Sequence, residues 1–208
     1  MQMSAPRLQR ALHPLDAVPA GRGWNLEELR DLLAPDAREV EAAVLVGMLP
    51  RGDELQVLFT RRTEALRHHA GQVSFPGGRI EQEDPGPLAA AMREAEEEIG
   101  LAASQIRPLG WLDPLMTITG YRVLPIVALL APDFVARPDP GEVAELFEVP
   151  LSHLLAHDSL RRVDIEFAGR IRQVAEIRPR DGDAPARRIW GATASILCNL
   201  RDRLEQAA

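Results

Sequence analysis

The sequence GQVSFPGGRIEQEDPGPLAAAMREAEEEIGL, residues 71–101, joins a loop rich in glycine and proline to a short predicted helix. Gly100 follows the last apolar residue of this helix, at a position where glycine often ends a helix. At 100° per residue, several apolar side chains share one side of the helix. They are Leu88, Met92, Ala95 and Ile99. This pattern predicts a helix that packs one face on a hydrophobic core.

Three glutamates of the same helix, Glu94, Glu97 and Glu98, fall on a second side, which we expect to face away from the core. All three lie near the helix C-terminus, where the helix dipole disfavours each anion by roughly 0.3 to 1 kcal/mol. A divalent cation between them would remove this penalty, and carboxylate oxygens suit Mg²⁺ or Mn²⁺. The alternative is a solvated acidic face on which Arg93 pairs with Glu97, four residues later.

The order of charged and glycine residues in this stretch is specific. Gly78 is followed after five residues by Asp84, and then by Arg93-Glu94-Ala95-x-Glu97-Glu98-x-Gly100-Leu101. This pattern resembles the Nudix box of the Nudix hydrolases, GX5EX7REUXEEXGU, in which U is a bulky aliphatic residue. Asp84 stands in place of a glutamate, eight residues rather than seven separate it from Arg93, and Ala95 replaces a larger residue. The role of Asp84 therefore stays open.

A second pattern lies upstream of the helix and resembles a signature of the coenzyme A pyrophosphatase branch of that family. The residues that keep its spacing are Thr63, Arg67, Gly71 and Phe75-Pro76-Gly77-Gly78. The resemblance implies that the substrate-binding residues are Arg67, Gly71, Phe75, Gly77 and Gly78. Arg67 suits a phosphate contact because a guanidinium group binds phosphate oxygens bidentately. The alternative for Arg67 is an exposed surface arginine.

The resemblance implies an α/β fold, a Nudix-type α/β/α sandwich with a mixed β-sheet and a loop–helix–loop catalytic motif. It implies that the catalytic residues are Glu97, Glu94, Glu98 and Arg93. In this assignment Glu94 and Glu98 are the primary metal ligands, and Glu97 is a further ligand or the general base. Arg93 orients the cluster by pairing with an acid of the preceding loop. Nudix hydrolases often draw another ligand or base from a separate loop, and the candidates are Glu142 and Glu145, for which surface solvation is the alternative.

The activity that the resemblance implies is metal-dependent hydrolysis of the pyrophosphate group of a nucleotide derivative. For this branch the substrate is coenzyme A or a derivative, cleaved to 3′,5′-ADP and 4′-phosphopantetheine, with Mg²⁺ or Mn²⁺ as the cofactor. Two alternatives stay open. One is a Nudix hydrolase of another nucleoside diphosphate derivative, such as ADP-ribose or NADH. The other is a catalytically silent Nudix-like binding module, which the intact Glu94, Glu97 and Glu98 disfavour.

Composition and charge narrow the class of protein. The chain of 208 residues has 24 basic and 31 acidic side chains and a formal net charge of -7, which disfavours nucleic-acid binding. The one cysteine, Cys198, leaves no intrachain disulfide, and no apolar run approaches the roughly 20 residues of a membrane span. We expect a cytoplasmic protein whose partner is a small-molecule nucleotide substrate, with no nucleic-acid and no membrane partner. Whether it forms a homodimer stays open.

The rest of the chain is predicted to form one domain with an extension. Residues 1–35 are expected to be an N-terminal arm with a short helix, and residues 36–208 a Nudix hydrolase domain. The other predicted helices are 26–33, with Asn25 as its N-cap, 151–157 and 189–204. The predicted strands are 40–49, 55–60, 106–112, 121–130, 142–150, 162–167 and 171–177.

Overall fold

The computed structural model describes residues 3–29, 31–32, 39–65, 69–167, 169–178 and 187–207. The helices are Ala5–Ala11 (α1), Leu26–Leu29 (α2), Pro87–Ile99 (α3), Leu151–Leu155 (α4) and Gly191–Gln206 (α5), with a 3-10 turn at Ala103–Gln105. The strands are Val40–Arg51 (β1), Glu54–Arg62 (β2), Val73–Ser74 (β3), Gly77–Arg79 (β4), Ile106–Trp111 (β5), Leu115–Met116 (β6), Tyr121–Leu130 (β7), Val143–Pro150 (β8), Leu160–Phe167 (β9), Arg170–Ile177 (β10) and Ile189–Trp190 (β11). None of the helices in these ranges is long and apolar enough to cross a membrane.

The main sheet is mixed, and its centre is a parallel pair of long strands. Within the described residues it contains eight strands, in which β3, β2, β1, β7 and β5 follow one another, while β8 pairs with β2, β6 with β7 and β4 with β1. Strands β1 and β7 run parallel, from the pair Val40 and Tyr121 to the pair Met48 and Leu129. The other pairs are antiparallel. A parallel pair needs a long crossover, which the residues between β1 and β7 supply.

Helices cover both faces of the main sheet. Side chains of β1 alternate between the faces, as the pleat of a strand requires. Ala43 and Leu45 belong to the core beneath α3, whereas Ala42 and Val46 belong to the core shared with α1 and α5. The predicted α/β/α sandwich with a mixed sheet is therefore confirmed, and the predicted strands are present with ends within two residues of those expected.

Helix α3 lies directly after the loop that follows β4. It begins with Pro87, whose fixed φ suits the first turn, and ends at Gly100, which has a φ of 70°. The predicted helix end at Gly100 is confirmed. The buried face is rotated slightly from the predicted one, because Ala95 and Ile99 are fully buried while Leu88 is only half-buried. This rotation turns the last glutamate of the helix towards the core.

A second, antiparallel sheet consists of β11, β10 and β9. The prediction of a final helix over 189–204 was wrong at its start, since Ile189 and Trp190 form β11 and pair with Ile177 and Glu176 of β10. Two apolar residues at the head of a helical pattern fit a strand equally well, so periodicity does not separate the two. The consequence is that α5 begins at Gly191, beside this sheet.

Helix α2 is shorter than the predicted helix 26–33, of which residues 30 and 33 lie outside the described residues. The Asn25 side chain makes a tertiary contact rather than the predicted N-cap. Its Nδ2 donates to the Met116 carbonyl at 2.9 Å, and its Oδ1 accepts the Met116 N–H at 2.8 Å. This buried pair of hydrogen bonds fixes the segment before α2 to strand β6.

The N-terminal segment packs on the same core as the final helix. Leu8 of α1 is fully buried, and Arg203 of α5 donates from Nε to the Ala11 carbonyl at 2.6 Å. Cys198 is partly buried against this core, as its apolar surroundings predict. The division of the chain at residues 35 and 36 stays a prediction.

Asp113 joins the two ends of the chain. Its carboxylate accepts hydrogen bonds from Asn199 Nδ2 at 2.8 Å and Arg203 Nη1 at 3.0 Å, and it lies 2.8 Å from His13 Nε2. Burial opposes ionisation of Asp113, but the hydrogen bonds from His13, Asn199 and Arg203 outweigh it and lower the pKa. Ionised Asp113 therefore stabilises the fold.

We predict that Asp113→Asn lowers the free energy of unfolding at pH 7 by about 1 to 2 kcal/mol, because the charge-assisted hydrogen bonds are lost. The folded-state pKa is depressed, so this stability is present above the unfolded pKa of 3.8 and is lost as the pH falls through the folded value. Urea unfolding at several pH values measures the difference, which should shrink below about pH 4. The exposed Asp16→Asn is the control, and equal midpoints for both variants at pH 7 would contradict the role of Asp113.

Candidate active site

Arg93 is the hydrogen-bond centre of the box helix α3. Its guanidinium donates to both oxygens of Asp84 at 3.1 Å, to Glu94 Oε1 at 2.9 Å and to Glu97 Oε2 at 3.0 Å. A further bond reaches the Arg79 carbonyl at 3.2 Å. The hydrogen bonds from Arg93 lower the pKa of Asp84, so that loop carboxylate is ionised. Arg93 thus ties the loop before α3 to two glutamates of the helix, and Asp84 is its partner in that loop.

Glu98 is buried, which corrects the expectation that all three glutamates face away from the core. Its side chain is 4 % exposed, whereas that of Glu97 is 59 % exposed. Arg62, at the end of β2, approaches Glu98 Oε1 with Nη1 at 3.5 Å. Among the described residues, Glu98 Oε2 has no hydrogen-bond partner. A buried carboxylate oxygen without a partner is costly, and a cation bound at this oxygen would offset the cost.

The surroundings of Glu98 and Glu94 disfavour the ionised form of both side chains. Burial raises the pKa of Glu98 to about 8, assisted by the negative charges of Glu94 and Glu142 and opposed by Arg62. Burial also raises the pKa of Glu94, and Arg93 opposes the shift. Glu142, which lies just before β8, is close enough for its charge to contribute to both shifts. A cation at this point would favour both carboxylates in their ionised form.

Glycines of β4 permit the close approach of strand and helix. A Cβ on Gly78 would lie 2.6 Å from Cδ of Glu94, so a larger residue would displace that carboxylate. A Cβ on Gly77 would lie 2.6 Å from Cα of Val44, and its φ of 147° also favours glycine. Gly78 therefore shapes the wall against which Glu94 packs, and Gly77 allows β4 to pair closely with β1.

The remaining predicted binding residues differ in their positions. Gly71 lies in the turn before β3 with a φ of 67°. Phe75 is 3 % exposed and packs on Phe59 with ring centroids 5.1 Å apart, so its ring is mainly a core side chain. Arg67 lies outside the described residues. The roles assigned to these residues in substrate binding stay predictions.

The two candidates for a general base outside α3 have different surroundings. Glu145 of β8 accepts hydrogen bonds from Arg61 at 3.2 Å and from Arg187 at 2.6 Å and 2.8 Å. These partners lower the pKa of Glu145 against the effect of burial, which makes it a weak base. Glu142 is exposed. The ion pairs of Glu145 with Arg61 and Arg187 therefore leave Glu142 as the stronger candidate for a general base.

The donors at this site suit a hard cation held by few protein ligands. No three His, Cys, Asp or Glu side chains of the described ranges are grouped closely enough to hold a metal ion by themselves. Arg93 Nη1 bonds to one carboxylate oxygen of Glu94 and one of Glu97. The partnerless Glu98 Oε2 and the carboxylate of Glu94 remain. Mg²⁺ is commonly bound through one or two carboxylates, water and substrate phosphates, so the residues fit such an ion.

A cavity of about 370 Å³ lies next to this cluster. We call it the inter-sheet cavity, because Val44, Arg62 and Gly77 line it on the side of the main sheet, and Ile165 and Val174 line it on the side of the hairpin β9–β10. Sequence reasoning missed Arg62 as a site residue. The signal in the sequence was a pair of arginines at the end of a predicted strand. That signal does not reveal that one of the two arginines faces a glutamate 36 residues later.

The fold and the site together define an α/β protein in which a glutamate-rich helix packs against a glycine turn. A family profile described as NUDIX domain matches residues 41–168. "Uncharacterized Nudix hydrolase NudL" of Photorhabdus laumondii is 39% identical over 164 residues, which cover 79% of this chain and 84% of the relative. The protein of the same name from Yersinia pestis strain Pestoides F is 39% identical over 163 residues, covering 78% and 79%. The chain belongs to the Nudix hydrolase family.

Solved structures agree on the fold. A MutT/nudix family protein from Enterococcus faecalis superimposes with a TM-score of 0.55 at 14% identity, over 84% of this chain and 65% of that chain. At this identity the likeness concerns the fold and not the substrate. Members of this family typically use a divalent metal ion and act on nucleotide derivatives, which agrees with the chemistry of the glutamates.

We predict that Arg93 and Asp84 are coupled in folding. In a double-mutant cycle of Arg93→Met and Asp84→Asn, we expect an interaction free energy of about 1 kcal/mol. Either single variant already removes the bidentate hydrogen bond between the two opposite charges, so the double variant does not lose it a second time. Urea unfolding of the two single variants and the double variant measures this term. Arg93→Met with Glu96→Gln is the matched control pair, since Glu96 is an exposed residue of the same helix. Additive effects of Arg93→Met and Asp84→Asn would show that the contact contributes nothing to stability.

Proposed function

We propose that this protein is a metal-dependent pyrophosphate hydrolase that cleaves coenzyme A or its derivatives to 3′,5′-ADP and 4′-phosphopantetheine. The observation that carries the proposal is the buried Glu98 carboxylate, whose Oε2 has no partner among the described residues and which lies beside Glu94 and Arg62. Coenzyme A as the substrate is supported by the spacing of Thr63, Gly71 and the Phe75–Gly78 turn, and by Arg67 in the same pattern.

In this proposal each charged side chain has a separate task. Glu98 and Glu94 hold Mg²⁺ or Mn²⁺, with Glu97 at the exposed rim of the site as a further ligand or base. When bound, the ion neutralises charge on the diphosphate oxygens. Arg93 keeps Glu94 and Glu97 in place through its hydrogen bonds and is itself held by Asp84.

The reaction consumes one water molecule. The water oxygen attacks one phosphorus, and the bond between that phosphorus and the bridging oxygen breaks. The proton of the water passes to Glu97 or Glu142, which are the exposed carboxylates at the site. Arg62 lies beside Glu98 and also lines the inter-sheet cavity, so its charge lies where the anionic diphosphate would enter.

The substrate is tested by incubating the purified protein with coenzyme A, ADP-ribose and NADH separately, with Mg²⁺ or Mn²⁺ and with EDTA, and by identifying the products by mass. We expect metal-dependent release of 4′-phosphopantetheine and little action on the other two compounds. Cleavage of ADP-ribose or NADH with coenzyme A left intact would contradict the proposed substrate. Failure to cleave any of the three would favour a binding module without activity.

We predict that Glu98→Gln lowers kcat for the proposed substrate by about a hundredfold or more, because a ligand of the ion is lost. The metal-free variant should unfold at a urea concentration at least as high as the wild type, since the substitution removes a buried carboxylate. Glu96→Gln, the same change at an exposed position of α3, is the control and should match the wild type in both measurements. Near-normal turnover of Glu98→Gln at saturating Mg²⁺ would rule out the assigned role.

A further inference from the structure

We propose that the inter-sheet cavity binds the uncharged chain on one side of the substrate diphosphate, the part that corresponds to pantetheine in coenzyme A, and thereby selects the substrate. This inference rests on the proposed hydrolysis of coenzyme A. A volume of about 370 Å³ is within the range of small-molecule sites. Three features support the assignment: the position of the cavity, the charged side chains along it and the segments that supply its lining residues.

The cavity adjoins the glutamate cluster through Arg62 and Gly77. Arg62 and Gly77 line it, and Arg62 approaches Glu98 to 3.5 Å. Gly77 and Gly78 form the strand against which Glu94 packs. A diphosphate held at Glu98 therefore has the mouth of the cavity beside it, and one of its two substituents would extend into the cavity.

The arginines along the cavity are only partly paired, since Arg62 Nε and Arg172 Nε have no hydrogen-bond partner among the described residues. Arg62 lies beside Glu98, and Arg162 lies 3.7 Å from Glu28. Arg172 donates from Nη1 to Asp31 Oδ1 at 3.1 Å. The two unpartnered N–H groups can donate to amide carbonyl oxygens without breaking these pairs. The described lining therefore accommodates a chain that carries amide groups.

The uncharged surface of the cavity suits a chain that alternates apolar and amide groups. Ile165, Val174 and Phe75 supply apolar contacts, and Gln72 and Ser195 supply groups that exchange hydrogen bonds with amides. A ribose carries several adjacent hydroxyl groups, each of which loses hydrogen bonds to water when it is buried against side chains such as Ile165 and Val174. This difference favours a pantetheine-like chain over the ribose of ADP-ribose or NADH.

Much of the wall comes from segments outside the part of the chain that the NUDIX profile matches. That match covers residues 41–168. Helix α2 precedes it, and β10, β11 and the start of α5 follow it, yet Leu29, Val174, Trp190 and Gly191 of these elements line the cavity. The matched segment thus contributes the glutamates and part of the cavity wall, and the additional segments contribute the rest of the wall. A specificity element is expected in such an addition.

The test fills the cavity and leaves the glutamates unchanged. Ile165→Trp enlarges a half-buried side chain of β9 that lines the cavity. Ile171→Trp makes the same change on β10 at a side chain that is 74% exposed, and this variant is the matched control. The substrates are coenzyme A and an analogue truncated after the diphosphate to a methyl ester, which keeps the nucleotide and lacks the chain. Steady-state kinetics with Mg²⁺ give kcat and KM for each substrate, and circular dichroism with thermal unfolding reports the fold.

We expect Ile165→Trp to raise KM for coenzyme A by about tenfold or more, because the chain loses its binding site. Its kcat/KM for the truncated analogue should remain near the wild-type value, and Ile171→Trp should match the wild type with both substrates. A KM for coenzyme A that is the same in both variants would overturn the cavity assignment, as would an equal loss of kcat/KM with both substrates. If Ile165→Trp does not fold, Val174→Phe on the adjacent strand β10 replaces it in the same comparison.

The wild-type protein separates failure of this inference from failure of the proposed function. If the wild type cleaves neither coenzyme A nor the truncated analogue, the proposed function fails. If it cleaves both with the same kcat/KM, the hydrolase function stands and the chain has no binding site, which overturns the cavity assignment. A preference of about tenfold or more for coenzyme A supports it.

Discussion

The burial of the Glu98 carboxylate is the constraint on which the rest of the site depends. A nearly inaccessible carboxylate with one partnerless oxygen destabilises the fold by an amount that a nearby cation can offset. Arg62 at 3.5 Å supplies part of this compensation. A cation bound at Glu98 would therefore stabilise the fold, as any ligand that binds the native state does.

The sheet explains why Glu98 is buried. Strand β1 pairs with β2 near one end and with β4 near the other, and this arrangement brings Arg62 and Gly77 to the same edge. Gly78 lacks a side chain, so α3 packs closely on β4 with Glu94 against the strand. The glutamates therefore lie between helix and strand rather than in bulk water.

The sequence predicted the fold and much of the site for identifiable reasons. The helix end at Gly100 and the long strands could be predicted because local sequence signals determine them. The partnership of Arg93 with an acid of the preceding loop also followed from residue types within one short segment. Contacts between distant segments could not be predicted from local patterns. Arg62 faces Glu98 only because β2 and α3 meet in space. Ile189 belongs to a strand only because β10 lies beside it. The cavity could not be predicted for the same reason, since residues from both ends of the chain form its walls.

The position of the cation is the most direct test of the account. Crystals of the wild-type protein grown with Mn²⁺ would locate the ion through its anomalous scattering. The account predicts an ion bonded to Glu98 Oε2, with Glu94 as its second protein ligand and with Arg93 still bonded to Asp84. An ion on Glu97 with Glu98 Oε2 left without a partner, or no ion at this cluster at saturating Mn²⁺, would contradict it.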